Sequence, residues 1–128
     1  MCTYAPNCTN YSLLLSGEQM RLAPLYDVAS ALPYDEMHLP KLTMAMKIGG
    51  RDGVQAVQGR HWRRFAVANA LDPDETIDRV RDLAQRAPDA FTSAAAVPAV
   101  RALDSTMPAK LCDRIATRVE DCIAALDV

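Results

Sequence analysis

Apolar residues recur with a period of two near the start of the chain and with a period of three to four from about residue 60 onward, so the pattern predicts strands first and helices after. Tyr11, Leu13 and Leu15 alternate with Ser12 and Leu14. One face of this segment is fully apolar and the other mostly so, which suits a strand packed on both sides. Ser16-Gly17-Glu18-Gln19 makes a turn, and Met20 to Leu25 returns as the second strand of a hairpin. Pro24 ends the ladder because it has no N–H to donate, and Tyr26-Asp27 closes the unit. The short run Val28 to Leu32 stops at Pro33 and predicts a helical turn at most. Tyr34 to Pro40 reads as a loop. Lys41 to Ile48 alternates as a strand, with Leu42, Met44, Met46 and Ile48 on one face. Gly49-Gly50 breaks it, and Arg51 to Gly59 is a polar connection.

The remainder is helical in pattern. His61 to Leu71 carries Trp62, Phe65, Ala66 and Val67 among arginines. Asp72-Pro73-Asp74-Glu75 is a helix start, with Asp72 as N-cap, Pro73 at the first helical position and Glu75 placed for a capping box. Ile77, Val80, Leu83, Ala84 and Ala87 mark the buried stripe that follows. Pro88 ends or kinks this helix, and an alanine-rich turn or two resumes up to Ala96. Pro98 and Pro108 bracket a joint. A last helix runs from about Pro108 to Leu126, with Cys112, Ile115, Val119, Cys122 and Leu126 on one side. A hairpin, a strand and then three or four helices define an α+β fold. Three strands make a thin sheet, as in a part of a larger domain.

Composition narrows the function classes. The 128 residues are half hydrophobic, enough for one small folded domain. A net charge of −2 gives no electrostatic case for direct nucleic-acid binding or for an acidic membrane surface. No apolar run approaches the roughly eighteen residues of a membrane span. The opening residues lack the basic and apolar regions of a secretory signal, so a cytoplasmic setting with reduced thiols is expected. Cys2, Cys8, Cys112 and Cys122 match no zinc spacing, and His38 and His61 complete none. Cys112 and Cys122 are expected to pack as small hydrophobes. The sequons at Asn7 and Asn10 are then coincidental.

Candidate chemistry centres on the first hairpin. Its ends should bring Asn10 and Asp27 together, and an amide oxygen beside a carboxylate can hold a hard divalent cation such as Mg²⁺. A plain N-terminal cap and a turn aspartate fit the same spacing. Asp35, Glu36 and His38 read as a solvated loop, since nothing nearby completes a coordination set. Arg60, His61, Arg63 and Arg64 beside Trp62 read as a solvated helix face rather than a nucleic-acid patch.

Three segments taken together, NYSLLLSGEQMRLAPLYDVASALPY, KLTMAMKIGG and RHWRRFA, resemble the C-terminal part of the HipA family in order and spacing from Asn10 onward. The helical tail is similar more loosely, through HWRRF and PDAF. The resemblance implies the C-terminal lobe of a HipA-like serine/threonine protein kinase, a toxin of type II toxin–antitoxin systems. It implies divergent residues 1–9, a metal-site hairpin and strand region over 10–59 and a helical subdomain over 60–128. It places Asn10 at the catalytic-loop asparagine and Asp27 at the metal-binding aspartate, the pair that holds Mg²⁺ and, through it, ATP. The chain departs from the family pattern at two positions. Ala5 stands where the family has its catalytic aspartate, and a methyl group cannot accept a proton. Thr9 stands where it has a basic residue. No glycine-rich phosphate loop is present, and Gly49-Gly50 with Gly53 lacks the strand–helix context and the lysine. The resemblance therefore implies a fragment inactive alone, whose partners are an antitoxin or the missing N-terminal lobe. A non-catalytic module that engages either of them, and a decayed gene fragment, are the alternatives.

Overall fold

The computed structural model describes residues 11–24, 30–36 and 39–128. Among the described residues, two separate antiparallel hairpins precede four helices. Strand β1 (Leu13–Ser16) pairs with β2 (Gln19–Leu22), and β3 (Thr43–Ile48) pairs with β4 (Arg51–Gly53). A 3-10 turn, Leu39–Lys41, leads into β3. The helices are α1 (Gly59–Ala68), α2 (Pro73–Ala95), α3 (Pro98–Arg101) and α4 (Met107–Leu126). The α+β class is as expected, but the strands do not form one sheet. Arg51 to Gly53 is a strand rather than plain connection, because Gly49 and Gly50, with φ of +55° and +87°, turn the chain back on β3 instead of merely ending it.

The core lies in the helices. α2 packs along α4, and α1 lies against α2. Ala66, Ile77, Ile115 and Leu126 are buried between them, with Val80, Ala84, Ala87, Val119 and Cys122 half-buried around. Leu83, expected in the α2 stripe, is exposed. α2 starts where its sequence predicts: the Asp72 carboxylate accepts from the Glu75 N–H at 2.8 Å, with Pro73 at the first position, but the return contact of the Glu75 side chain that a capping box needs is not formed. Pro88 does not end α2, which continues through it to Ala95. An interior proline costs about 3 kcal/mol in a free helix, a cost that packing along α4 can offset over 23 residues.

Two glycines set how closely the parts approach. A β-carbon at Gly59 would lie 2.1 Å from the carbonyl oxygen of Leu126, so the start of α1 sits directly on the end of α4. A β-carbon at Gly49 would lie 2.1 Å from the carbonyl oxygen of His61, so the β3–β4 turn presses on α1. Arg118 of α4 donates to the carbonyl of Val54 just after β4. Arg81 of α2 pairs with Asp127 at 2.9 Å.

The first hairpin is different. Leu13, Leu14, Leu15, Met20 and Leu22 are all exposed, and no other described helix or strand makes more than marginal contact with it. The expectation of a strand packed on both sides is not met within the described residues. Met46, on the same predicted face of the β3 strand as Leu42, Met44 and Ile48, is exposed while those three are half-buried.

Gly59→Ala should lower unfolding stability by about 2–4 kcal/mol, since backbone rather than a flexible side chain blocks the added methyl. Urea unfolding checks this, and a loss below about 0.5 kcal/mol would contradict the packing described.

Candidate metal and nucleotide site

The β1–β2 turn is Gly17-Glu18, with Gly17 at φ +61°, the glycine-first pattern of a two-residue hairpin. The register pairs Leu13 with Leu22, Leu14 with Arg21, Leu15 with Met20 and Ser16 with Gln19. One step further on, the Ala23 N–H donates to the Ser12 carbonyl at 2.8 Å. The ribbon is therefore closed at the end away from the turn. Asn10 lies two residues before Ser12 in sequence and Asp27 four residues after Ala23. Both lie outside the described residues, as do Ala5, Thr9, His38, Cys2 and Cys8. Among the described residues no cluster of histidine, cysteine and carboxylate side chains could hold a metal ion.

The loop acid Asp35 has a structural role that its sequence context did not suggest. Its carboxylate accepts from Lys110 and, at 3.0 Å, from Arg114, both on α4. The hydrogen bond and charge of Lys110, then the charge of Arg114, hold its pKa below the ordinary aspartate value. Asp35, though exposed like its neighbour Glu36, thus ties the segment after the hairpin to α4. Lys110 and Arg114 are one helical turn apart, and that spacing was the only signal available in the sequence. Between this segment, the end of α2, α3 and the start of α4 lies an open apolar cavity of about 490 Å³, lined by Tyr34, Phe91, Leu103, Met107 and Leu111 among others.

The basic cluster on α1 resolves into separate parts. Arg63 pairs with Asp74 at 2.5 Å. Trp62 stacks edge-on against Phe65. His61 is buried, at 9% exposure, and its Nδ1 accepts from the Gln58 N–H at 3.0 Å. Burial lowers its pKa, and the charges of Arg60, Arg51 and Arg64 lower it further. Neutral His61 is thus part of the α1 N-terminal cap. Cys112 and Cys122 are free and half-buried, as expected of packing residues. No helix is long and apolar enough to cross a membrane among the described residues.

With this geometry in place, comparison with known proteins gives the family. The sequence profile of the HipA-like C-terminal domain matches residues 8–91. The chain belongs to the HipA-like C-terminal domain family. Its fold is similar to that of a HipA toxin–antitoxin protein of Shewanella oneidensis MR-1, solved in a complex with HipB and its operator DNA. That match has a TM-score of 0.70 and 19% sequence identity. It covers 92% of this chain and 27% of the Shewanella chain, so this chain spans about a quarter of that length. No significant relative is found among curated proteins.

Protonation of His61 removes its acceptor for the Gln58 N–H. The unfolded chain takes up this proton near pH 6.5 and the folded chain only at lower pH. The stability His61 contributes is therefore complete above about pH 6.5 and declines as pH falls through that range. Urea unfolding of wild type and His61→Gln between pH 5 and 8 should show a shallower slope below about pH 6.5 in the variant. Identical slopes would contradict the assignment.

Proposed function

We propose that this chain is the C-terminal part of a HipA-like serine/threonine protein kinase, with Asn10 and Asp27 forming half of its Mg²⁺ and ATP site. What carries the reading is the family match over residues 8–91, which brackets both residues, together with the hydrogen bond that closes the hairpin between them. The donor chemistry fits the ion, since an amide oxygen and a carboxylate are hard oxygen ligands. Bound Mg²⁺ would supply charge neutralisation at the nucleotide phosphates.

The chain's own residues define what it can do with such a ligand. Asp27 offers the formal charge and Asn10 a neutral oxygen that helps to fix orientation. Ala5, at the position of the proton-accepting aspartate, can neither orient a substrate hydroxyl nor take its proton. Thr9 brings no positive charge toward a transferring phosphate. These residues contain no phosphate-binding loop, and in this reading they do not transfer phosphate by themselves. In this reading the chain is the kinase part of a toxin of a type II toxin–antitoxin system in the cytoplasm. A second reading is a non-catalytic module that engages an antitoxin or a separately encoded N-terminal lobe. The exposed apolar side chains of the first hairpin favour it.

Incubation of the purified chain with labelled ATP, Mg²⁺ and a serine-containing acceptor protein should give no transfer above a protein-free control. Transfer that is abolished in Asp27→Ala would contradict the inactivity and the reading of Ala5.

A further inference from the structure

Three arginines converge where the β3–β4 turn presses on α1. Arg60 and Arg64 are one helical turn apart and share a face of α1. Arg51 opens β4, directly after the Gly49-Gly50 turn. A β-carbon at Gly50 would lie 3.9 Å from Nη1 of Arg64, so this guanidinium reaches the turn from which Arg51 leaves. All three arginines are exposed, and none is paired with a carboxylate among the described residues. Asp52 follows Arg51 on β4, where alternation puts it on the other face. Buried His61 lies beside the three. Its Nδ1 accepts from the Gln58 N–H, so the neutral ring carries its proton on Nε2. That Nε2–H has no acceptor among the described residues. Burial lowers the His61 pKa, and the charges of Arg60, Arg51 and Arg64 lower it further, with no described acid offsetting them.

In a chain of net charge −2, such a concentration of positive charge is a local feature. We propose that the junction of the β3–β4 turn with α1 binds a phosphate monoester or free phosphate, held by Arg51, Arg60 and Arg64 and by the Nε2–H of His61. Guanidinium groups match phosphate oxygens with two parallel N–H bonds each. A monoester carries close to two negative charges at neutral pH, together with three strong acceptor oxygens. It can therefore take several guanidinium forks and a neutral N–H at one point. A nucleic-acid backbone spreads single charges along its length and is met by an extended basic track. Here the track is cut short, since Arg63 on the same helix is already paired with Asp74. A dianion at this junction also relieves the mutual repulsion of the three arginines. It favours the charged form of His61 and so moves its pKa back up.

This site is independent of the metal reading of the first hairpin. The full 128-residue chain with ¹³C-labelled histidine reports on it through the ring signals of His61, assigned by their loss in His61→Gln. Inorganic phosphate, titrated against chloride at constant ionic strength, should shift these signals saturably with a Kd of about 1 mM or below, and should raise the pH midpoint of His61. Arg64→Gln and Arg60→Gln should each weaken binding by about fivefold or more. Arg79→Gln, which removes the same charge from an exposed position on α2, should leave it within about twofold. The far-ultraviolet signal and urea midpoint of all three variants should match wild type, because these side chains are exposed. O-phosphoserine separates the sources: tighter binding than phosphate assigns the site to a phosphorylated side chain, and equal or weaker binding assigns it to the free ion. A shift that never saturates, or equal losses in Arg79→Gln and Arg64→Gln, would overturn the site. Preference for a short DNA duplex over both phosphate and O-phosphoserine would overturn the assignment to a monoester.

Discussion

The contact on which the rest of this structure depends is the one between the two ends of the helical unit, Gly59 at the start of α1 and Leu126 at the end of α4. No side chain separates them, since a single methyl group at Gly59 would overlap the Leu126 carbonyl. α1 is thereby placed where it can also pack on α2, and the end of α4 is held again by Arg81 through Asp127. The β3–β4 hairpin is set by the same helix, through Gly49 against the His61 backbone. Each approach is backbone on backbone, so neither can be adjusted by a rotamer change.

Around that contact the energy is thin. Ala31, Pro33, Ala66, Ile77, Ile115 and Leu126 are the buried apolar side chains among the described residues, and three of these six are alanine or proline. Fixed polar links therefore matter more than in a deep core. Asp35 with Lys110 and Arg114, and Arg118 with the Val54 carbonyl, draw the strand-bearing segments onto α4. The exposed ion pairs contribute little each, but they choose which face of α4 the preceding chain meets. The first hairpin has no such link among the described residues.

Much of this was legible in the sequence, for identifiable reasons. The Asp72-Pro73-Asp74-Glu75 start and the α4 stripe are local signals, and both hold in the structure. The β4 strand and the passage of α2 through Pro88 were not legible, because partners distant in sequence decide them. Alternation in Tyr11 to Leu15 correctly marked a strand but could not say whether anything lies against it. The cover for an apolar face is a tertiary fact, and here it is not supplied by the described residues. The role of Asp35 was likewise hidden, since its partners are 75 and 79 residues away. Asn10 and Asp27 were singled out by their positions at the ends of a hairpin, and the observed register closes that hairpin at Ser12 and Ala23.

That closure is where the functional account can be tested most directly. Titration of the ¹⁵N-labelled chain with Mg²⁺, followed with Mn²⁺ as a paramagnetic probe, reads the position of a bound ion without any need for catalysis. The account predicts saturable broadening centred on residues 10–12 and 23–27, lost in Asp27→Ala and weakened at least several-fold in Asn10→Ala. Broadening that is absent, or that persists unchanged in Asp27→Ala, would contradict the metal site and with it the kinase reading of this chain.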